Sequence, residues 1–218
     1  MSRRPYECEP DTVVGDDSRR WRRLPRQLEV VLLVIGFTCL AWAAWALVDA
    51  RLFQRHAAAT AAPLPAAAVP VAEGTVVCQL WIPRVGVGMA VAEGVSERTL
   101  RRAVGHVPGS ALPGQSGNVV LAGHRDSFFR SLERIRVGDA IYLESSAGTE
   151  LYVVDWIRVV APTDIEVLKD TGSATLTLVT CYPFRFIGSA PERYIVRARH
   201  ISTADAWGSR HPTRGLTG

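Results

Sequence analysis

Residues 28–48, LEVVLLVIGFTCLAWAAWALV, constrain this chain more than any other stretch. A run this apolar has no place on the surface of a water-soluble domain, and its one charge, Glu29, sits at its edge. At about 1.5 Å rise per residue the run spans roughly 30 Å, the hydrocarbon thickness of one bilayer. A cleaved signal peptide carries a shorter apolar region of about 7–15 residues close to the start. Here the run follows 27 residues, so a retained transmembrane helix over 28–48 is expected, with a buried core helix as the alternative. Residues 19–26, RRWRRLPR, place five arginines in front of it. Beside such a segment they act as a topology signal that keeps the N-terminus cytoplasmic, with Trp42 and Trp45 at the outer interface. Nucleic-acid binding, the other use of such a cluster, is not expected.

The span divides the rest. Residues 1–27 are polar, lack apolar periodicity, and read as a disordered cytoplasmic tail. Residues 49–74 contain AAATAAPLPAAAVPVA, Ala/Pro-rich low complexity suited to a semi-extended stalk. From 75 to 203 short apolar runs alternate with glycine and proline, long enough for one core, and 204–218 read as a frayed tail. Strand signals dominate this domain. They cover 75–83, 85–94, 117–125, 139–145, 149–162, 175–181 and 192–201, the fourth and fifth joined by hairpin chemistry. SERTLRRAVGHV (96–107) reads as a short helix capped by Ser96, and SFFRSLERI (127–135) as a helical turn presenting Phe128, Leu132 and Ile135. A mainly antiparallel barrel or sandwich of seven or eight strands follows.

Two strand ends carry the candidate chemistry. TLTLVTCYPF (175–184) stops at Cys181, just before Pro183 takes the chain out of the sheet, and NVVLAGHRD (118–126) leaves an apolar strand at His124. Strand ends can share one barrel rim, where a histidine within reach of a thiol can hold or return its proton. A donor for a developing oxyanion completes such a site, and Arg193, at the start of the last strand, can supply it. Each residue has a plainer alternative at this stage. Cys181 could be core packing or a disulfide partner of Cys78. His106, His200 and His211 compete with His124, and Arg185, Arg197 and Arg199 with Arg193. Zinc lacks the usual Cys-x-x-Cys or His-x-x-x-His spacing. Calcium has only the scattered acids Asp164, Glu166 and Asp170, on a loop that also suits a groove wall. No metal or other cofactor is expected.

These residues also carry a resemblance. NVVLAGHRDSFFRSL (118–132) and TLTLVTCYPFRFIGSAPERYIVRA (175–198) resemble the signature blocks of sortases, the membrane-anchored cysteine transpeptidases of bacterial surfaces. The second contains the family's Thr-Leu-x-Thr-Cys motif as Thr177-Leu178-Val179-Thr180-Cys181. LWIPRVGV (80–87) is similar to the family's first-strand block, and Tyr182-Pro183 with Ala190-Pro191-Glu192-Arg193-Tyr194 is most like class D, class E being close. The resemblance implies an eight-stranded sortase-type β-barrel with two or three short helices, preceded by one N-terminal transmembrane helix. It implies Cys181 as nucleophile, His124 as acid/base and Arg193 as substrate and oxyanion donor. Thr180 and Asp126 are taken as substrate-binding positions, with plain surface structure the alternative for Asp126.

The expected reaction cleaves a Leu-Pro-x-Thr-(Gly/Ala)-like sorting signal after Thr through a Cys181 thioester. The acyl group then passes to an amine such as that of a peptidoglycan precursor or a pilin. The partners implied are surface proteins bearing that signal, and the catalytic domain lies outside the membrane. Two other readings compete. An L,D-transpeptidase would show a Ser/His-x-Gly-Cys block, which Val179-Thr180-Cys181-Tyr182 is not, and a non-catalytic envelope scaffold would not need His124, Cys181 and Arg193 together.

Overall fold

A computed structural model describes residues 26–59, 71–186 and 188–202, in two units that divide between Trp45 and Ala46. The predicted tails at 1–27 and 204–218, with Cys8 and His211, lie outside the described residues except for Arg26 and Gln27, which begin helix α1. Helix α1 runs from Arg26 to Ala59. Within it, Gln27–Ala57 is long and apolar enough to cross a membrane, and its most apolar window is wholly unburied. The helix thus passes position 48 and takes in residues 49–59 of the stretch read as stalk. DARLFQRHAAA has no proline or glycine to stop it, and the first proline comes only at Pro63.

Eight strands close into a barrel in the order β1-β2-β3-β4-β7-β8-β6-β5. They are β1 (Val76–Ile82), β2 (Val87–Glu93), β3 (Val104–His106), β4 (Asn118–Ala122), β5 (Ala140–Ser145), β6 (Gly148–Val160), β7 (Thr175–Tyr182) and β8 (Glu192–Ile201). Closure decides between barrel and sandwich. The period of two along each strand builds the core: Cys78, Leu80, Ile82, Ile141, Leu143, Leu176, Leu178, Val196 and Ala198 are all fully buried. Each large aliphatic among them contributes about 1.5–3 kcal/mol by leaving water. Two ladders are parallel, β2 with β3 and β4 with β7, and the other pairings are antiparallel.

Two local expectations need correction. The helix at 96–107 is only α2, Glu97–Arg102, and Val104–His106 is a strand. Ser96 does cap α2, its hydroxyl accepting from the Thr99 amide at 3.3 Å. Gly105 lets this strand pack closely: a Cβ there would lie 2.4 Å from the carbonyl oxygen of Gly94, just past the end of β2. The turn at 127–135 is a 3₁₀ segment, Arg130–Arg134, and its buried residues are Phe129, Leu132 and Ile135 instead of Phe128. Period three rather than 3.6 moves the apolar face by one residue.

Candidate active site

Strand β7 positions Cys181 by alternation. Leu176, Leu178 and Thr180 face the barrel interior, so Thr177, Val179 and Cys181 face out. Antiparallel β8 pairs Arg193 directly with Cys181, which puts both side chains on the same face. On the other side of β7, parallel β4 pairs Ala122 with Val179. The Gly123 amide continues that ladder to the Val179 carbonyl at 3.1 Å, and the Thr180 hydroxyl donates to the Gly123 carbonyl at 2.7 Å. His124 and Cys181 each lie two residues beyond the Ala122–Val179 pair, and so emerge together from one end of the sheet. Three adjacent strands therefore end on one row, His124–Cys181–Arg193, with neighbouring strands about 4.8 Å apart.

All three are half-buried. Cys181 is a free thiol, as is Cys78, so the bridge between them is not formed. Arg193 donates from Nη1 to the carbonyls of Ala190 (3.2 Å), in the connection before β8, and Glu192 (2.9 Å), the first residue of β8; among the described residues the other donors of its fork have no side-chain or carbonyl partner. Gly123 permits the turn into His124, because a Cβ there would meet the Phe129 ring at 2.8 Å.

The competing residues have other occupations. His106 is buried between Glu93 (Nδ1 to Oε2, 2.6 Å), the Ala111 carbonyl and Ser110. His200 bonds Glu150 at 2.5 Å and packs edge-on against Tyr152. Arg197 lies over Trp156 and donates to the Val167 carbonyl at 2.5 Å; burial pulls its pKa down. Arg199 pairs with Thr175, at the far end of the ladder, and Arg185 is exposed beside Glu133 at 3.7 Å. Cys78 sits in the core, where burial pushes its thiol up.

The two weaker candidates land differently. Thr180 faces away from Cys181, its hydroxyl holding the β4 exit, while Asp126 is exposed on the turn after His124. On the 161–174 connection Glu166 pairs with Lys169 at 2.6 Å, and Asp170 accepts from the Gly172 amide at 3.0 Å. Among the described residues no three of His, Cys, Asp and Glu gather as a metal site.

Two connections frame β7, one at each end. The β6–β7 connection, 161–174, is fastened to the outer face of the sheet. Asn118 donates to the carbonyls of Leu168 (3.1 Å) and Lys169 (3.2 Å) and accepts from Thr177 (2.6 Å) and Thr175 (3.3 Å). The β7–β8 connection is held from across the site by Arg125, which bonds Pro183, Phe186 and Gly188. Its aromatic side lines a cavity of about 300 Å³ with Glu133, Tyr182, Pro183, Phe184, Arg185 and Tyr194. Sequence reasoning missed Arg125 and this cavity, since the only local signal was a cation directly after His124.

A closed eight-stranded barrel ending three neighbouring strands on histidine, cysteine and arginine has the architecture of a sortase domain, and the sortase-domain family model matches residues 80–201. This chain belongs to the sortase family and is class D-like. Sortase D of Bacillus subtilis (strain 168) is 33% identical over 124 residues, 56% of this chain and 63% of that protein. Sortase A of Bacillus anthracis is 29% identical over 132 residues, 59% and 61% of the two chains. The match thus spans about three fifths of the length of these curated relatives. Among solved structures, a Clostridium perfringens Sortase D5 transpeptidase superposes with a TM-score of 0.56 at 31% identity, covering 61% of this chain and 82% of that one. Sortase C1 of Streptococcus agalactiae gives 0.56 at 31% identity, covering 62% and 72%.

Proposed function

We propose that this protein is a cysteine transpeptidase that acts on a Leu-Pro-x-Thr-(Gly/Ala)-like sorting signal. The row His124–Cys181–Arg193 at the ends of β4, β7 and β8 carries this reading. The Cys181 thiolate attacks the threonine carbonyl carbon, and Arg193 donates to the oxygen that becomes negative. As the tetrahedral adduct collapses, the threonine C–N bond breaks and protonated His124 gives its proton to the leaving amine. A thioester remains on Cys181. An incoming amine of the cell envelope, from a peptidoglycan precursor or a pilin, attacks that thioester and passes its proton to neutral His124. The Cys181 thiolate then departs, and the enzyme has returned to its starting charge.

No metal or other cofactor has a step in this scheme. Helix α1 anchors the chain in the cell membrane as a single pass, with the tail before it in the cytoplasm and the barrel outside. The arginine cluster at 19–26 supports that orientation. The sorting-signal proteins would then meet the barrel on the outer side. Transpeptidation by the Clostridium perfringens relative supports the reaction class.

Intact-mass spectrometry of the detergent-solubilised chain with a panel of sorting-signal peptides tests the reading. The expected result is a mass increase equal to the acyl fragment, lost on adding hydroxylamine and absent in Cys181→Ala. No adduct with any peptide, while Cys181 remains free to alkylation, would favour the scaffold reading.

A further inference from the structure

Arg125 follows His124 directly, yet its side chain serves a different strand. The guanidinium donates from Nη1 to the Pro183 carbonyl (3.0 Å) and from Nη2 to the carbonyls of Phe186 (2.8 Å) and Gly188 (3.0 Å). Its Cζ also lies 5.8 Å from the centre of the Phe186 ring. All three acceptors belong to the connection that leaves β7 after Cys181 and enters β8 before Arg193.

We propose that Arg125 is a positioning residue: it clamps the β7–β8 connection to the strand end that carries His124, so that His124, Cys181 and Arg193 are held as one unit. Because the acceptors are main-chain oxygens, the clamp fixes the path of the backbone whatever side chains the connection bears. The same connection carries Ala190 and leads into Glu192 at the start of β8, and the carbonyls of both hold Nη1 of Arg193. A shift in that backbone therefore re-aims the Arg193 fork. Three carbonyls spread along a connection need donors in a planar fork, and lysine, with one compact ammonium, cannot reproduce that geometry. The bonds to Phe186 and Gly188 are exposed, so water can replace them when the guanidinium is removed. Loss of Arg125 should then free the connection without unfolding the barrel.

The inference rests on the transpeptidase reading for its kinetic consequence, but not for its structural one. The test compares wild type, Arg125→Ala and Arg125→Lys as full chains in detergent, by limited proteolysis with trypsin and steady-state peptide cleavage. Cutting of the Arg185–Phe186 bond, read by mass spectrometry, should speed up at least about tenfold in both variants while the strands stay uncut. In both, kcat should fall at least about tenfold with KM changed much less. Millimolar methylguanidinium should restore part of the Arg125→Ala rate.

A wild-type rate of cutting at Arg185–Phe186, or wild-type kcat in Arg125→Lys, would overturn the proposal. So would strands that are cut as fast as the connection, since Arg125 would then be a general stability residue. If the wild-type chain cleaves no peptide, the functional reading fails separately and the proteolysis data still decide the clamp.

Discussion

The two ends of β7 are built from the same outward-facing stripe and end in opposite states. At the start, Thr175 and Thr177 give their hydroxyls to Asn118, and the 161–174 connection covers them through Asn118 and Arg197. Thr177 is fully buried there. At the finish, Cys181 keeps a free, half-buried thiol between a histidine strand end and an arginine. Polar groups at the first end are satisfied by the protein, which makes that end stable and chemically inert. On the proposed reading, those at the second meet the substrate.

This contrast can be broken most severely at the open end. Cys181→Ala should remove acyl-enzyme formation altogether while leaving the melting temperature at the wild-type value, measured by mass spectrometry and thermal melting. A variant that still accumulated a hydroxylamine-sensitive adduct would move the nucleophile elsewhere. Next in size, His124→Ala and Arg193→Lys should each lower kcat by about 10²–10³ in peptide cleavage, again with the fold intact. Near-normal turnover by Arg193→Lys would mean that charge, and not the fork, is what the row requires.

Closed-end changes should show up in stability first. Asn118→Ala removes the partner of the Thr177 hydroxyl and of two carbonyls in the 161–174 connection, while Thr175 keeps its bond to Thr171, and should cost about 1–3 kcal/mol in a urea melt. Cleavage should suffer less, through a modest rise in KM as that connection loosens. A loss of kcat as large as that of Arg193→Lys would erase the distinction between the two ends.

The smallest effect uses Cys78 as the buried reference for Cys181. Burial raises the Cys78 pKa, so the folded state holds that proton more tightly than the unfolded chain does. The stability this confers is complete below the ordinary thiol value of about 8.5 and declines as pH rises above it. Thermal melts between pH 8 and pH 10 should show a decline that is shallower in Cys78→Ala. Native alkylation, read at the peptide level, should modify Cys181 and spare Cys78.

What could be read from the sequence was whatever depends on neighbours in the chain. Apolar length marked α1, alternation marked the strands, and Ser96 marked the cap of α2. Cys181 and His124 stood out because each closes an apolar run. Hidden from that reading was everything set by contacts across the fold. Val104–His106 is strand because it joins β2 to β4 in the ladder, a reason that lies outside the segment itself. The pairing of β4 with β7 brings together residues 57 positions apart, and no local pattern announces it. Arg125 gave no signal of its role because its acceptors are carbonyls, which every residue type offers equally.

The parallel pairing of β4 and β7 also governs how such a site can change. Both strands run in the same direction, so His124 and Cys181 are each followed by a connection that leaves at the same end of the barrel. Those two connections can lengthen, shorten or change composition without altering the register of a single ladder beneath them. On the proposed reading, substrate choice and structural integrity are thereby inherited from separate stretches of the chain, and selection can rewrite one while the other stays fixed.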